Sequence, residues 1–497
     1  METNLESNIV ITKQKPKTLK YSHKSIDLFS LIIFFLFLSV IMLSSVAFGA
    51  NTQLMFVGIA VLLFFGIMAF EFYNIEGREL SFYLVIPLLI SATQNIYMGI
   101  ITPYVSAMQI QIMVVINFVF AVLLCLFVYF IQPKLMSKRL IKNTVWIIVF
   151  TVGYSLATIV LFHASPMSGF ASLRNILNPM MFFLIGLLTC KVTILKRFLK
   201  YVSFIAMFVF AFGVYERFIN PDIWNTLNLA DLWTKKGIPV NLSSGLPLNY
   251  YSSETIGGEQ LRRMVSSFAD PVNLGTFLFF GFMAAWYLKK YLLAFFMIIA
   301  TALTISKGAL LGLLVFLVVW AKNYTPKAVF FLILMTSGVA GLGFLGYTMM
   351  HSTMSALMHL TGFFSAFLEL PHHPLGRGLG NIGVLAGLYS TGAETGITES
   401  GLGMIIGQLG VVGIVLFFIF FKSINSNLKL VEDKREKVLG QALFIGITLN
   451  IAFNEVALSP NSSAVYFIAL GLICGKAGLS STKTKETKKK RFKKFVW

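Results

Sequence analysis

KKYLLAFFMIIATALTISKGALLGLLVFLVVWAK, residues 289–322, decides how the chain is threaded. Lys289 and Lys290 open it, Lys322 and then Lys327 follow it, and its middle holds a single cation, Lys307, between Ser306 and Gly308. Lysine and arginine collect on the cytoplasmic side of membrane proteins, so both ends belong on one side and the stretch crosses twice. Each arm then has roughly 15 residues, about 22 Å of helix, which is short for a hydrocarbon core of about 30 Å. The expectation is two short helices joined near Ser306, Lys307 and Gly308. Lys307 lies at or near the external surface, with the turn partly buried or the bilayer thinned around it.

Hydropathy and parity together thread the remaining residues. Of 497 residues 57% are hydrophobic and only 12% charged, and the mean hydropathy is +0.80, which identifies an all-α, polytopic integral membrane protein. Apolar runs fall at 26–47, 52–73, 80–102, 108–131, 144–163, 174–190 and 198–217. Seven more fall at 271–288, 291–305, 308–321, 328–350, 398–421, 438–457 and 462–475, giving about fourteen transmembrane helices. The chain then divides into a basic cytoplasmic tail (1–25), helices (26–217), a large external loop (218–269), helices (270–350), a second large external loop (351–397), helices (398–475) and a basic cytoplasmic tail (476–497). Small residues at Ala47, Gly49 and Ala50 raise the alternative of a cleaved leader, but the first apolar run is too long for a typical signal core and reads as the first span.

A net charge of +20 would point to a polyanion in a soluble protein. Here the cations occupy tails and short loops, such as Lys134 with Lys138, Arg139 and Lys142, or Lys191 with Lys196, Arg197 and Lys200. They report topology and give no reason to expect nucleic acid; the C-terminal tail is suited to anionic lipid. Cys125, Cys190 and Cys474 all lie in apolar runs, with no metal-site spacing and no disulfide framework. The spans carry few ionisable residues, Glu71 being one near a boundary, and no internal repeat is visible, both of which argue against a transporter.

The two loops carry the chemistry. The first contains Trp224, Trp233, Lys235, Lys236, Tyr250, Tyr251, Glu254 and Glu259 and ends at Arg262 and Arg263. Its aromatic rings either stack on sugars or pack the loop onto the membrane. Asp270-Pro271 is a strong helix start, with Asp as N-cap and Pro in the first turn, and places Arg263 just outside the membrane. The second loop carries His351, His359, His372, His373, Glu369, Arg377 and Glu394 and meets the next helix at Glu399. No carboxylate stands at a spacing that completes a zinc site, and a histidine here reads better as a proton acceptor. Gly378-Leu379-Gly380-Asn381-Ile382-Gly383 matches the dinucleotide pattern literally but lacks a βαβ unit. Its glycines either make a structural turn or present amides to an anion.

Arg263-Met264-Val265-Ser266-Ser267-Phe268-Ala269-Asp270-Pro271 resembles the Arg-x-x-Gly-Thr-Phe-x-x-Pro signature of bacterial polysaccharide polymerases and O-antigen ligases. Ser306-Lys307 is similar to that family's Ser-Arg pair, and Pro374-Leu375-Gly376-Arg377-Gly378-Leu379-Gly380 to its Gly-rich loop. Glu399-Ser400 with Gln408-Leu409-Gly410-Val411-Val412-Gly413 is similar to the helix that follows. The resemblance covers roughly residues 170–421. Ser266 replaces a frequent glycine, and Lys307 an arginine, exchanging a bidentate fork for a point charge. Glu399 stands where the ligase branch often has histidine, which favours the polymerase branch.

The resemblance implies a glycosyltransferase of the bacterial cell membrane, with both termini cytoplasmic. It would polymerise oligosaccharide units carried on a polyprenyl diphosphate into a capsule, exopolysaccharide or O-antigen, without a cofactor or metal. Partners would be the lipid-linked donor, the glycan acceptor, membrane lipids, and other polysaccharide export and chain-length proteins. Arg174 and Arg263 would hold the diphosphate, Lys307 or Arg377 would offset charge on the leaving group, and Glu399, His372 or His373 would take the acceptor's proton. The plainer roles open to the same residues are structural, with Arg174, Arg262 and Arg263 as interfacial anchors and Glu399 as the cap of its helix beside Thr398. The alternative functions are an O-antigen-type ligase, a flippase for the same lipid-linked units, a non-catalytic scaffold, or a cell-wall glycan polymerase.

Overall fold

A helix lies under each apolar run, because a backbone in hydrocarbon must satisfy its own hydrogen bonds. The structure, a computed structural model, describes residues 23–74, 80–131, 139–238, 240–241, 244–256, 259–351, 353–384 and 399–494. Glu394 and much of both tails fall outside it, as do the side chains of Glu71, Glu254, Glu259 and His351.

The first seven helices are α1 (His23–Ala47), α2 (Ala50–Asn74), α3 (Ile86–Ile101), α4 (Ala107–Ile131), α5 (Arg139–Leu161), α6 (Pro166–Thr189) and α7 (Leu195–Val214). The first large loop holds two short helices, α8 (Ile223–Thr226) and α9 (Leu229–Lys235). It also holds an antiparallel hairpin of β1 (Tyr251–Ile256) and β2 (Glu259–Arg262), in which Tyr251 faces Arg262. Then come α10 (Pro271–Tyr287), α11 (Tyr291–Leu303), α12 (Lys307–Tyr324), α13 (Lys327–His351) and α14 (Thr353–Leu368). The chain ends with α15 (Gly401–Leu428), α16 (Lys434–Phe453) and α17 (Pro460–Lys494). Among the described residues ten helices, α2 to α7, α12 and α15 to α17, are long and apolar enough to cross a membrane. This is the pattern of a multi-pass membrane protein.

The centre of the bundle is α6, almost wholly buried, against α17. Their backbones nearly touch: a Cβ on Gly186 would stand 2.3 Å from the Ile468 carbonyl oxygen, and one on Gly471 2.3 Å from that of Phe183. Small residues at a crossing let membrane helices approach closely and gain dispersion contacts where no hydrophobic driving force exists. The outer helices leave large apolar side chains such as Leu43, Leu62 and Phe130 uncovered, as lipid-facing residues are.

Two features differ from the reading of the sequence. Arg174 does not open its helix: α6 begins at Pro166, eight residues earlier, because the polar stretch around Ser168 and Ser172 is buried under another loop. The segment 351–397 is not loop throughout, since its apolar residues 353–368 form α14. The expected pair of short helices over 291–321 is present as α11 and α12, joined through 304–306.

The first loop is packed, not splayed. Trp224, Trp233 and Tyr250 are buried inside the protein itself, neither open to a sugar nor laid on its outer surface. Lys235 Nζ donates to the Thr102 carbonyl at 2.7 Å and Lys236 Nζ to Asn95 Oδ1 at 3.1 Å, which pins the loop to the end of α3.

Candidate functional site

The segment from Arg262 to Pro271 is held by a buried carboxylate. Glu216, fully buried in the π-helical turn that ends α7, accepts from Arg262 Nη2 at 2.7 Å and from the amides of Val265 and Ser266 at 3.3 and 3.4 Å. The Arg262 guanidinium also lies 5.3 Å from the Tyr250 ring centroid and 5.8 Å from that of Tyr251. Arg262 is therefore a tie inside the protein, not an anchor in the interface. Asp270 caps α10 as its sequence predicts, accepting from the Asn273 amide at 2.8 Å, with Pro271 in the first turn.

Arg263 reaches the other way. Its Nε donates to the Thr304 carbonyl at 2.8 Å, its Nη2 to that of Ile305 at 3.3 Å and its Nη1 to that of Asn249 at 3.3 Å. A guanidinium on the last carbonyls of α11 satisfies groups the helix leaves open and meets the negative end of its dipole. Lys307 follows two residues after Ile305, so Arg263 and Lys307 meet at one turn. Ser266, Ala269 and Ile305 around it have left-handed backbone, with φ of +47°, +49° and +49°. That conformation costs a non-glycine residue roughly 1–2 kcal/mol and is kept where surrounding contacts enforce it. Arg263→Ala is expected to lower stability by about 1.5–3 kcal/mol, the range for hydrogen bonds from a charged donor. A melting temperature of the purified variant equal to that of wild type would contradict this.

Lys307 opens into a cleft of about 670 Å³ between α12, α13, α14 and α16. Its walls are apolar, among them Leu310, Leu314, Leu317, Phe316 and Leu449. Its polar groups gather at one end: Lys307, His359, Asn450 and Asn454. His359, on α14, places Nε2 3.2 Å from Glu399 Oε2. Burial lowers the His359 pKa from its ordinary value, the Glu399 carboxylate pulls it back up, and Lys307 adds to the lowering.

Glu399 is not a helix cap. The cap of α15 is Ser400, whose Oγ accepts from the Gly403 amide at 2.9 Å and donates to the Ala452 carbonyl at 2.6 Å. The Glu399 carbonyl accepts from the Glu455 amide at 2.8 Å. Backbone and neighbour are thus fixed, and the side chain faces His359.

The other candidates lie elsewhere. His372 and His373 are exposed in the turn after α14. His373 lines a small recess of about 70 Å³ with Glu369 and Arg377, whose side chains pair at 2.7 Å. Glu369 follows the last residue of α14, ten positions beyond His359 and about 15 Å away along the helix, so these histidines form a cluster apart from Glu399. The Gly-rich loop packs on the protein's own helices: Ser168 Oγ donates to the Gly380 carbonyl at 2.5 Å and the Arg377 amide to that of Gly407 at 2.7 Å. A Cβ on Gly380, at φ +86°, would stand 2.5 Å from the Gly169 nitrogen. This is the structural turn of the two readings. Arg174 is partly buried within α6 and does not line the cleft.

His359 as a partner of Glu399, and the buried carboxylates Glu216 and Glu455, were not singled out in the sequence; Glu455 Oε2 accepts from the Val384 amide at 2.7 Å. Among the described residues no three of His, Cys, Asp and Glu group as metal ligands do. Comparison with protein-family models finds no match for the chain, and comparison with curated proteins finds none either.

Proposed function

We propose that the protein is a membrane glycosyltransferase that joins polyprenyl-diphosphate-linked oligosaccharide units into a surface polysaccharide at the outer face of the bacterial cell membrane. The observation that carries this reading is the cleft, long apolar walls ending in a lysine, a histidine and two asparagines. An isoprenoid chain fits such walls, and the charge of Lys307, its amine buried beside their polar end, favours a diphosphate there. Lys307 offsets the charge of the diphosphate, and Arg263 holds the turn that carries that lysine. Ser266, with its left-handed φ, occupies the place of the glycine in the signature that this segment resembles. Arg174 and Arg377 stand outside the cleft and receive no direct role.

A single displacement at the anomeric carbon inverts its configuration, and the lipid diphosphate leaves on the opposite face of the sugar. The donor is already activated, so no nucleotide sugar is required. Cells lacking the gene are expected to accumulate single lipid-linked units at the outer face, with long chains restored by the wild-type gene. Long lipid-linked chains that never reach a final acceptor would instead make the protein a ligase. Units trapped at the inner face would make it a flippase.

A further inference from the structure

We propose that Glu399 is the group that takes the proton of the acceptor hydroxyl, and that His359 is the positioning residue that aims it. This assignment rests on the transferase reading above and adds a residue, His359, that spacing in the sequence does not connect to Glu399.

Three observations carry it. The Nε2–Oε2 separation of 3.2 Å, between side chains 25% and 34% exposed, pairs Glu399 with a residue of the cleft wall. A nitrogen facing a carboxylate must carry the hydrogen, so His359 donates through Nε2 and Glu399 accepts. His359 Nδ1 is buried, so an acceptor hydroxyl meets the carboxylate, not the second ring nitrogen. Finally, Ser400 rather than Glu399 caps α15, so helix capping makes no demand on the Glu399 carboxylate.

The step balances. The hydroxyl proton passes to a Glu399 oxygen as the hydroxyl oxygen forms its bond to the anomeric carbon. The bond from that carbon to the diphosphate oxygen breaks, and its electron pair leaves with the diphosphate beside Lys307. Glu399 and Lys307 are the charged groups that act on the imidazole.

Purified protein in proteoliposomes, supplied with lipid-linked units extracted from gene-deleted cells, tests the assignment through kcat and KM. Positioned general bases contribute about 10²–10⁴-fold. Glu399→Gln, isosteric with the native side chain, is expected to lower kcat at least ~100-fold with KM within a few-fold of wild type. His359→Ala is expected to lower kcat at least ~10-fold. His359→Gln, which keeps an N–H near the Nε2 position, should recover most of that loss. Glu399→Gln retaining more than about a tenth of the wild-type kcat, or His359→Gln no better than His359→Ala, overturns the assignment and leaves the transferase reading intact. Wild-type protein that forms no glycan product overturns both.

Discussion

Lys307→Met is expected to leave the protein folded in the membrane and to cut polymer formation about 10²–10³-fold, the usual cost of removing one preorganised charge from a developing anion. The expectation comes from position. Among the described residues that line the cleft, Lys307 is the one lysine or arginine, and its amine is buried at the start of α12. A charge in a water-poor site acts more strongly than the same charge in solvent, and the positive end of the helix dipole adds to it. Methionine keeps the apolar stem, so the packing of Gly308 against Asn450 survives. Steady-state rates with lipid-linked donor, alongside the melting temperature, separate the two effects. A near-normal rate would mean that the diphosphate is neutralised elsewhere. Lys307→Arg, by contrast, keeps the charge and is expected to retain activity.

Glu216→Ala should be strongly destabilising. It leaves the Arg262 guanidinium, 13% exposed, without its carboxylate, and it strands the amides of Val265 and Ser266. Breaking a buried ion pair from one side costs about 3–5 kcal/mol, because the remaining charge is left desolvated. Adding Arg262→Met removes that charge and should restore part of the loss. Thermal unfolding of the two purified variants in detergent reads the difference. A double variant melting below Glu216→Ala would show that the guanidinium is held mainly by the Tyr250 and Tyr251 rings.

Much of the frame was legible because its signals are local. Basic residues at both ends of 289–322 require an even number of crossings, and the chain breaks into α11 and α12 within three residues of Lys307. Asp270-Pro271 fixes a helix start by the chemistry of two side chains. The site was less legible because its contacts are long-range. His359 and Glu399 lie forty positions apart, on opposite sides of the segment 385–398. Reading 351–397 as a loop hid α14, a sixteen-residue apolar helix too short to register as a span. Adjacent His372 and His373 drew attention as a pair, yet the turn after α14 leaves both exposed, whereas the solitary His359 is turned into the cleft. Arg262 and Arg263 were visible as a doublet. Only the fold shows that one is bound to Glu216 and the other to the end of α11.

The most direct test of a polymerase built around Lys307 is to reconstitute the purified protein alone with lipid-diphosphate-linked units from gene-deleted cells and to follow both products. The expected result is a ladder of longer lipid-linked glycans with one polyprenyl diphosphate released for each new glycosidic bond, and neither product with Lys307→Met. Units that cross the bilayer with their length unchanged, and no released diphosphate, would contradict it.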